Sequence, residues 1–385
     1  MGGLMDFGLS AEQQRLYDET LAAVGRHLPG SRRRESSADH FAPDEWDTAG
    51  RLGLTGLCLP AEAGGRGLGA LDTALCLEAF GRGCADTGLV FAVSAHLLAC
   101  AVPVRDFARE PVRDGILGGL ARGGLIAANA MTEEGAGSDV GRLATTAERD
   151  GGDYVLHGVK SFASNAPAAD VFVTYAVTEP SAGFLGISAF VVPRELPGIV
   201  VGPPLRKMGL HGCPAGRVEF IRCRVPARYR LGEEGDGSAI FQHSMGWERA
   251  CLFAGYVGLM DRQLRECVRH ARERRQFGHG IGEFQAVSHR LATMTQRLEG
   301  CRLLLYRACW LIDQGRDATT AAAVSKVSVS EASVANSLDA IQIFGGAGYL
   351  GPAGIEQQLR DSVPSTIFSG TSEIQREIIA KGAGL

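Results

Sequence analysis

The chain is predicted to be an α+β protein built in three consecutive parts. These are an N-terminal helical domain over residues 1–125, a middle antiparallel β-barrel or sandwich over 126–232, and a C-terminal four-helix bundle over 233–385. Two patterns carry the prediction. In both flanking parts apolar residues recur at three- and four-residue steps, the spacing of helices with one buried face. Between them the period changes to short Val-, Ile- and Phe-rich segments closed by Gly, Pro and Asp, the signature of a compact antiparallel sheet. Size agrees: 385 residues exceed one small core and leave room for two or three packed units.

In the first part, Ser10 and Gln13 form a capping box ahead of an amphipathic run through Leu16, Leu21 and Val24. A glycine-rich loop over 60–69 separates it from a second run over 71–80. In the middle part, segments 171–177 and 187–192 have strand composition, and regularly spaced breakers favour a barrel or sandwich over βαβ units. A turn-rich linker over 231–237 follows. Helical patterns then cover about 240–275, 284–314 and 318–344, with a short one near 371–381. In the second of these, Leu291, Met294, Leu298, Cys301, Leu305, Ala308 and Ile312 mark one buried face. Long helices joined by short links predict the bundle.

Composition narrows the function classes. Acidic residues number 43 against 39 basic, a formal net charge of -4, so the basic excess of a dedicated nucleic-acid binder is absent. With 45% hydrophobic and 21% charged residues the chain is expected to be globular and soluble. Asp6, Glu12, Asp18 and Glu19 stand where a signal peptide would be apolar, and no stretch is read as approaching eighteen apolar residues. Ten scattered cysteines contain no CxxC pair, which points to reduced core thiols in a cytoplasmic protein. Nine histidines lack any tight ligand spacing, so no metal site is expected. Two biases remain: 52 glycines, and 35 arginines against 4 lysines. The arginine excess fits a GC-rich genome as well as a function.

Three glycine- or arginine-rich segments invite a ligand. Residues 346–351 match GxGxxG, but the preceding segment is periodic like a helix and the following residues break structure, so the dinucleotide fingerprint is rejected. The loop Met131-Thr-Glu-Glu-Gly-Ala-Gly-Ser-Asp139 joins helical and β parts. It is either a polar interdomain turn or a surface whose bare amides, Thr132 and Ser138 meet a planar ligand. Arg274-Arg-Gln-Phe-Gly278 is either a solvated charge cluster or a pyrophosphate clamp.

Taken together, these motifs resemble those of the acyl-CoA dehydrogenases, and the resemblance spans nearly the whole chain. Residues 130–139 resemble the family's first signature and 342–349 through Arg360 and Asp361 its second, while 160–165 and 370–375 resemble further family segments. The resemblance implies FAD as cofactor. Its contacts would be Met131, Thr132, Gly137 and Ser138 in the first signature, and Phe162 and Ser164 over the isoalloxazine. Arg274, Gln276, Phe277 and Gln285 would reach the FAD of a neighbouring subunit, which implies a homodimer or homotetramer. Gln342, Gly345 and Gly346 would contribute from the second signature, and Thr371 and Glu373 from the C-terminal segment. Ser138, Arg249 and Gly370 would touch substrate. The electron acceptor is not legible.

The sequence departs from the family at Arg142, Pro352 and Gln357, and consequentially at Ser369, where most members carry the glutamate that acts as base. A serine hydroxyl is no substitute for a carboxylate acceptor. A branch resembling isovaleryl- and long-chain-specific enzymes places its glutamate just before an arginine in the C-terminal bundle, and here Glu248 precedes Arg249. Most glutamates face solvent, but the apolar run 250–253 follows at once, and an apolar pocket raises a carboxyl pKa. The implied reaction is α,β-dehydrogenation of a thioester: Glu248 removes the α-proton, a β-hydride passes to flavin N5, and the backbone N–H of Ser369 helps hold the carbonyl oxygen. The carrier of the acyl group, coenzyme A or a carrier protein of natural-product assembly, stays open. So do an oxygen-using monooxygenase or nitroalkane-oxidase-like reading and a non-catalytic, flavin-free assembly role.

Overall fold

The computed structural model describes residues 8–29 and 41–385; Asp6 lies outside them. Helix α1 (Ala11–His27) starts from the expected capping box, with Gln13 N–H bonded to Ser10 Oγ and Gln13 Oε1 accepting from Ser10 N–H. Then come α2 (Pro43–Arg51), α3 (Ala70–Gly83), α4 (Thr87–Ala95), α5 (Val102–Phe107) and α6 (Val112–Ala121). A π-helical turn, His96–Ala101, joins α4 to α5. One sequence expectation fails here. The continuous run Thr87–Phe107 is long and apolar enough to cross a membrane, yet its apolar window is wholly buried inside the protein. A helix packed on all sides carries no polar face, so apolar length alone does not separate a central core helix from a span.

The middle part forms one eight-stranded sheet. Its strands are β1 (Ala127–Ala130), β2 (Thr146–Asp150), β3 (Asp153–Ser164), β4 (Val171–Val177), β5 (Ile187–Pro193), β6 (Ile199–Val201), β7 (Ala215–Pro226) and β8 (Arg230–Leu231). They lie in the order β6-β7-β3-β2-β4-β5-β8, with β1 beside β4. Most pairings are antiparallel as expected, but β1 pairs with β4 in parallel, from Ala127↔Val171 to Ala130↔Thr174. The intervening β2–β3 hairpin returns the chain to β4 in the direction of β1, which a local turn signal does not reveal. Phe172, Phe190, Phe220 and Val225 fill the inner face.

The C-terminal part holds α7 (Gly237–Trp247), α8 (Ala254–Glu273), a hairpin of β9 (Arg275–Gln276) and β10 (His279–Gly280), α9 (Gln285–Asp313) and α10 (Thr319–Phe344). Short α11 (Gly346–Tyr349) and α12 (Ile355–Ser362) precede α13 (Ser372–Gly382). Met294, Leu298, Cys301, Leu305 and Ala308 of α9 are buried as their spacing predicted. The bundle is not closed by C-terminal helices alone, because α3 packs on α8 and α9. Glycine makes that contact close: a Cβ on Gly81 would come within 2.0 Å of Gly255 O, and one on Gly258 within 2.1 Å of Glu78 O. One apolar core runs through all three parts, from Trp46 and Phe80 through Val173 and Tyr175 to Phe253 and Leu305.

Candidate active site

Between α7 and α8 the helix widens into a second π turn, Glu248–Leu252. Such single π turns recur at functional positions. This one is buried and touches the π turn His96–Ala101. Glu248 is 7% exposed and Arg249 8%.

Against this turn lies the segment that carries Ser369. A 3-10 turn, Val363–Thr366, leads into Phe368, whose ring packs on Phe91, Phe253 and Tyr256 at centroid distances of 4.6, 5.6 and 6.1 Å. Two left-handed residues then reverse the chain, Ser369 at φ 56° and Gly370 at φ 86°. Gly370 must be glycine on two counts: its φ, and a Cβ that would come within 2.6 Å of Gln375 Nε2. Gln375 Nε2 donates to the carbonyls of Ser369 and Gly370 at 3.1 and 3.2 Å, and Arg249 Nε donates to Ser369 O at 3.1 Å. Thr371 then caps α13, its Oγ1 accepting from Ile374 N–H.

The outcome is one contact between the two turns: Ser369 Oγ donates to Glu248 Oε1. Glu248 Oε2 is buried and has no hydrogen-bond partner among the described residues. Burial pushes the Glu248 carboxyl above its ordinary pKa, and the Ser369 hydroxyl and the Arg249 charge only partly offset it. Cys100 and Tyr175 lie close enough for the Glu248 charge to add to burial in raising their own pKa values.

A second cluster surrounds the 131–139 loop. Lys160 Nζ, fully buried, donates to Met131 O at 3.1 Å and Glu133 Oε1 at 2.8 Å. Glu133 also accepts from the N–H groups of Ala144 and Thr145 at 2.6 and 3.1 Å. Ser161 N–H bonds Thr132 O at 2.7 Å, locking the loop to β3. Met131, Glu133 and Ala136 are buried, but the rest of the loop is open: Gly137 and Ser138 are exposed, and a Cβ on Gly135 or Gly137 would meet no described atom within 4 Å. At a bulge in β3, Phe162 takes φ 57° and stands 62% exposed, with Ser164 two residues on. A bulky residue in left-handed backbone, with its ring in solvent, is strained by the fold and points to a ligand.

The other predicted contacts sit elsewhere in the chain. Arg274, Gln276 and Phe277 form the hairpin beyond α8, and Gln285 begins α9. Phe277 (φ 51°) and Gly278 (φ 83°) make its two-residue turn, and Phe277 is 90% exposed. Gln342, Gly345 and Gly346 lie at the end of α10, which reaches the same end of the bundle, where His270 stacks on Phe344 at 4.1 Å. Gly345 ends α10 at φ 59°, ψ -137°, a conformation that itself requires glycine. The full length of α8, roughly 30 Å, separates this group from Glu248. Glu373 is exposed in the first turn of α13. Within one chain, Glu248, Arg249, Ser369, Gly370 and Thr371 therefore come together, Met131 to Ser138 join Phe162 and Ser164, and the remaining residues stand apart.

Sequence reasoning missed the Lys160–Glu133 pair, the bonds from Gln375, the ring cage of Phe368, and Lys326. Lys326 is fully buried beside Phe253, its Nζ 5.5 Å from the ring centroid. A signal existed for two of these. In a chain with 35 arginines and 4 lysines, Lys160 and Lys326 are two of the few lysines, and both are fully buried.

Comparison with known proteins follows the same three parts. Family models described as the acyl-CoA dehydrogenase N-terminal, middle and C-terminal domains match residues 10–124, 128–223 and 235–384. The chain is 54% identical over 385 residues to an L-prolyl peptidyl-carrier-protein dehydrogenase of Pseudomonas fluorescens, covering 98% of this chain and 99% of that protein. A solved structure described as PigA with FAD and proline matches with TM-score 0.96 and 44% identity, over 99% of this chain and 100% of that one. The prolyl acyl carrier protein oxidase AnaB matches with TM-score 0.91 and 37% identity, over 98% and 100%.

Proposed function

The chain belongs to the acyl-CoA dehydrogenase family, and from that premise we propose that it is an FAD-dependent dehydrogenase acting on a prolyl thioester held by a carrier protein. The observation that carries the reading is Glu248: a buried carboxylate with a raised pKa, one oxygen held by Ser369 and the other unengaged by protein. Such a group accepts a proton more readily than an exposed carboxylate does. Identity to two prolyl-carrier-protein dehydrogenases, 54% and 45%, against 37% or less for the acyl-CoA enzymes among its relatives, favours the carrier-bound substrate.

The residues present fit FAD. Open space beside Gly135 and Gly137, and the outward rings of Phe162 and Phe277, suit a flat aromatic ligand. Met131, Thr132, Ser138, Phe162 and Ser164 would hold it in one protomer. Arg274, Gln276, Phe277 and Gln285, remote from Glu248 in their own chain, would serve the site of a second protomer. FAD, when bound, supplies the two-electron acceptor for the oxidation.

The protein's own share of the chemistry is proton transfer and positioning. Removing an α-proton leaves charge on the thioester oxygen, and fixed donors already in place lower that barrier. The Ser369 backbone N–H is assigned to that oxygen, on a turn pinned by Arg249 and Gln375. Glu248 takes the α-proton. Phe368, packed on Phe91, Phe253 and Tyr256, anchors the same turn.

The test is to offer holoprotein a prolyl carrier-protein thioester and a panel of acyl-CoA thioesters without oxygen, and to follow flavin absorbance. Bleaching by the prolyl thioester is expected. Bleaching by acyl-CoA alone would overturn the substrate assignment. AnaB's description as an oxidase supports a second reading of the electron acceptor, molecular oxygen; oxygen uptake during prolyl-thioester turnover distinguishes it from a protein acceptor.

A further inference from the structure

We propose that the Ser369 hydroxyl is a positioning group: it holds Glu248 Oε1 and thereby assigns Oε2 as the oxygen that takes the substrate proton. The proposal rests on the reading of Glu248 as base. It goes beyond the backbone role given to Ser369, because it concerns the side chain that replaces the usual glutamate.

Three observations carry it. First, the contact is exclusive. Ser369 Oγ donates to Oε1, and Oε2 is buried without a hydrogen-bond partner among the described residues. Buried acceptors are normally satisfied, so an unpaired one calls for a reason. Reaction with a ligand proton is such a reason.

Second, the hydroxyl has little freedom to be elsewhere. Ser369 is 9% exposed, and its carbonyl is fixed from two sides by Arg249 Nε and Gln375 Nε2. Third, serine is not what this backbone prefers. At φ 56° glycine is the unstrained choice, as Gly370 next to it illustrates. What serine adds is a Cβ and a hydroxyl, and the hydroxyl is spent on Glu248.

The other groups facing the carboxylate are few. Arg249 lies in its own π turn, Cys100 comes from the facing π turn and Tyr175 from β4. Arg249 in turn acts on Lys326 of α10. A hydroxyl donating to a carboxylate favours the charged form, so Ser369 works against the burial that raises the Glu248 pKa. Removing it raises that pKa further, and the proton-accepting form then appears only at higher pH.

The test compares Ser369→Gly and Ser369→Ala in the holoenzyme. A purely structural role predicts that Ser369→Gly is harmless or stabilising, because glycine relieves the left-handed backbone. The positioning role predicts that both variants keep FAD and melt near wild type, while the acid limb of the flavin-reduction pH profile moves up by about one unit. An infrared titration reads the same group without turnover. The carboxyl C=O band that disappears in Glu248→Gln should persist to about one pH unit higher in both variants.

Wild-type titration and pH profile in both Ser369 variants, with Glu248→Gln inactive, would overturn this proposal and leave the base assignment standing. Normal bleaching by Glu248→Gln would overturn the base assignment itself, and the positioning role with it.

Discussion

Glu133 in the β part and Glu248 in the bundle are the same residue at the same exposure, 7%, and their surroundings push them in opposite directions. Burial raises both. Around Glu133 the Lys160 charge, its hydrogen bond and the bonds from the 144–145 backbone outweigh burial, and the carboxyl sits below its ordinary pKa. Glu248 meets one hydroxyl and a neighbouring guanidinium that bonds elsewhere, and burial wins. Glu248 is also enclosed more completely than Glu133, which stands at an open loop, so deeper burial and an incomplete set of partners together raise its pKa. Glu133 is held in its ionised form and fixes a loop, whereas the surroundings of Glu248 favour its protonated form.

The strongest way to break this contrast is Glu248→Gln. It should keep bound FAD and lower the rate of flavin bleaching by substrate by about 100-fold or more, measured by anaerobic stopped flow. Next in size is Lys160→Met, which strands the Glu133 charge in the interior. Breaking a buried pair in this way should destabilise by about 3–5 kcal/mol, read by denaturant unfolding, with weaker FAD retention as the 131–139 loop loosens. Gly370→Ala should cost about 1–3 kcal/mol, since it forces both a left-handed alanine and a clash with Gln375.

The two carboxylates also predict opposite pH responses. A depressed pKa contributes stability that is present above the ordinary carboxylate range and lost as pH falls through the folded value, so Glu133→Gln should flatten the acid side of the stability curve. A raised pKa works the other way: its contribution is full at low pH and lost as pH rises through the folded value. Glu248→Gln should therefore gain about 1–2 °C in Tm at pH 8 and less at pH 5, in a scan that reports activity lost and stability gained.

Lys326→Met should act on the basic side of the stability curve. Burial lowers the lysine pKa to about 8 and the charge of Arg249 adds to it. The wild type should then gain stability between pH 8 and 10, where the folded state holds fewer protons than the unfolded one. The variant should lack that rise.

Much of the fold was legible because it depends on short-range pattern. The capping box at Ser10, the α9 stripe from Met294 to Ala308, and the strands around Val171 and Ile187 are written in neighbouring residues. The parallel register of β1 on β4 was not, since it joins residues 44 positions apart with no local signal. The Thr87–Phe107 run was misjudged for a related reason: its apolar length is a property of the segment, its burial a property of everything around it.

The site divides along the same line. By itself the sequence determined which chemistry-bearing residues exist and in what order: the 131–139 loop, Glu248 before Arg249, and serine at 369. It also excluded the dinucleotide reading of 346–351, whose preceding segment is indeed the helix α10. Only the tertiary structure decided that residues 121 positions apart share a hydrogen bond, that one oxygen of Glu248 is left unpaired, and that Lys160 anchors Glu133. Residue identity and spacing set what a side chain is able to do. Protonation state and orientation depend on the partners folding delivers to each oxygen, and those partners come from distant parts of the chain.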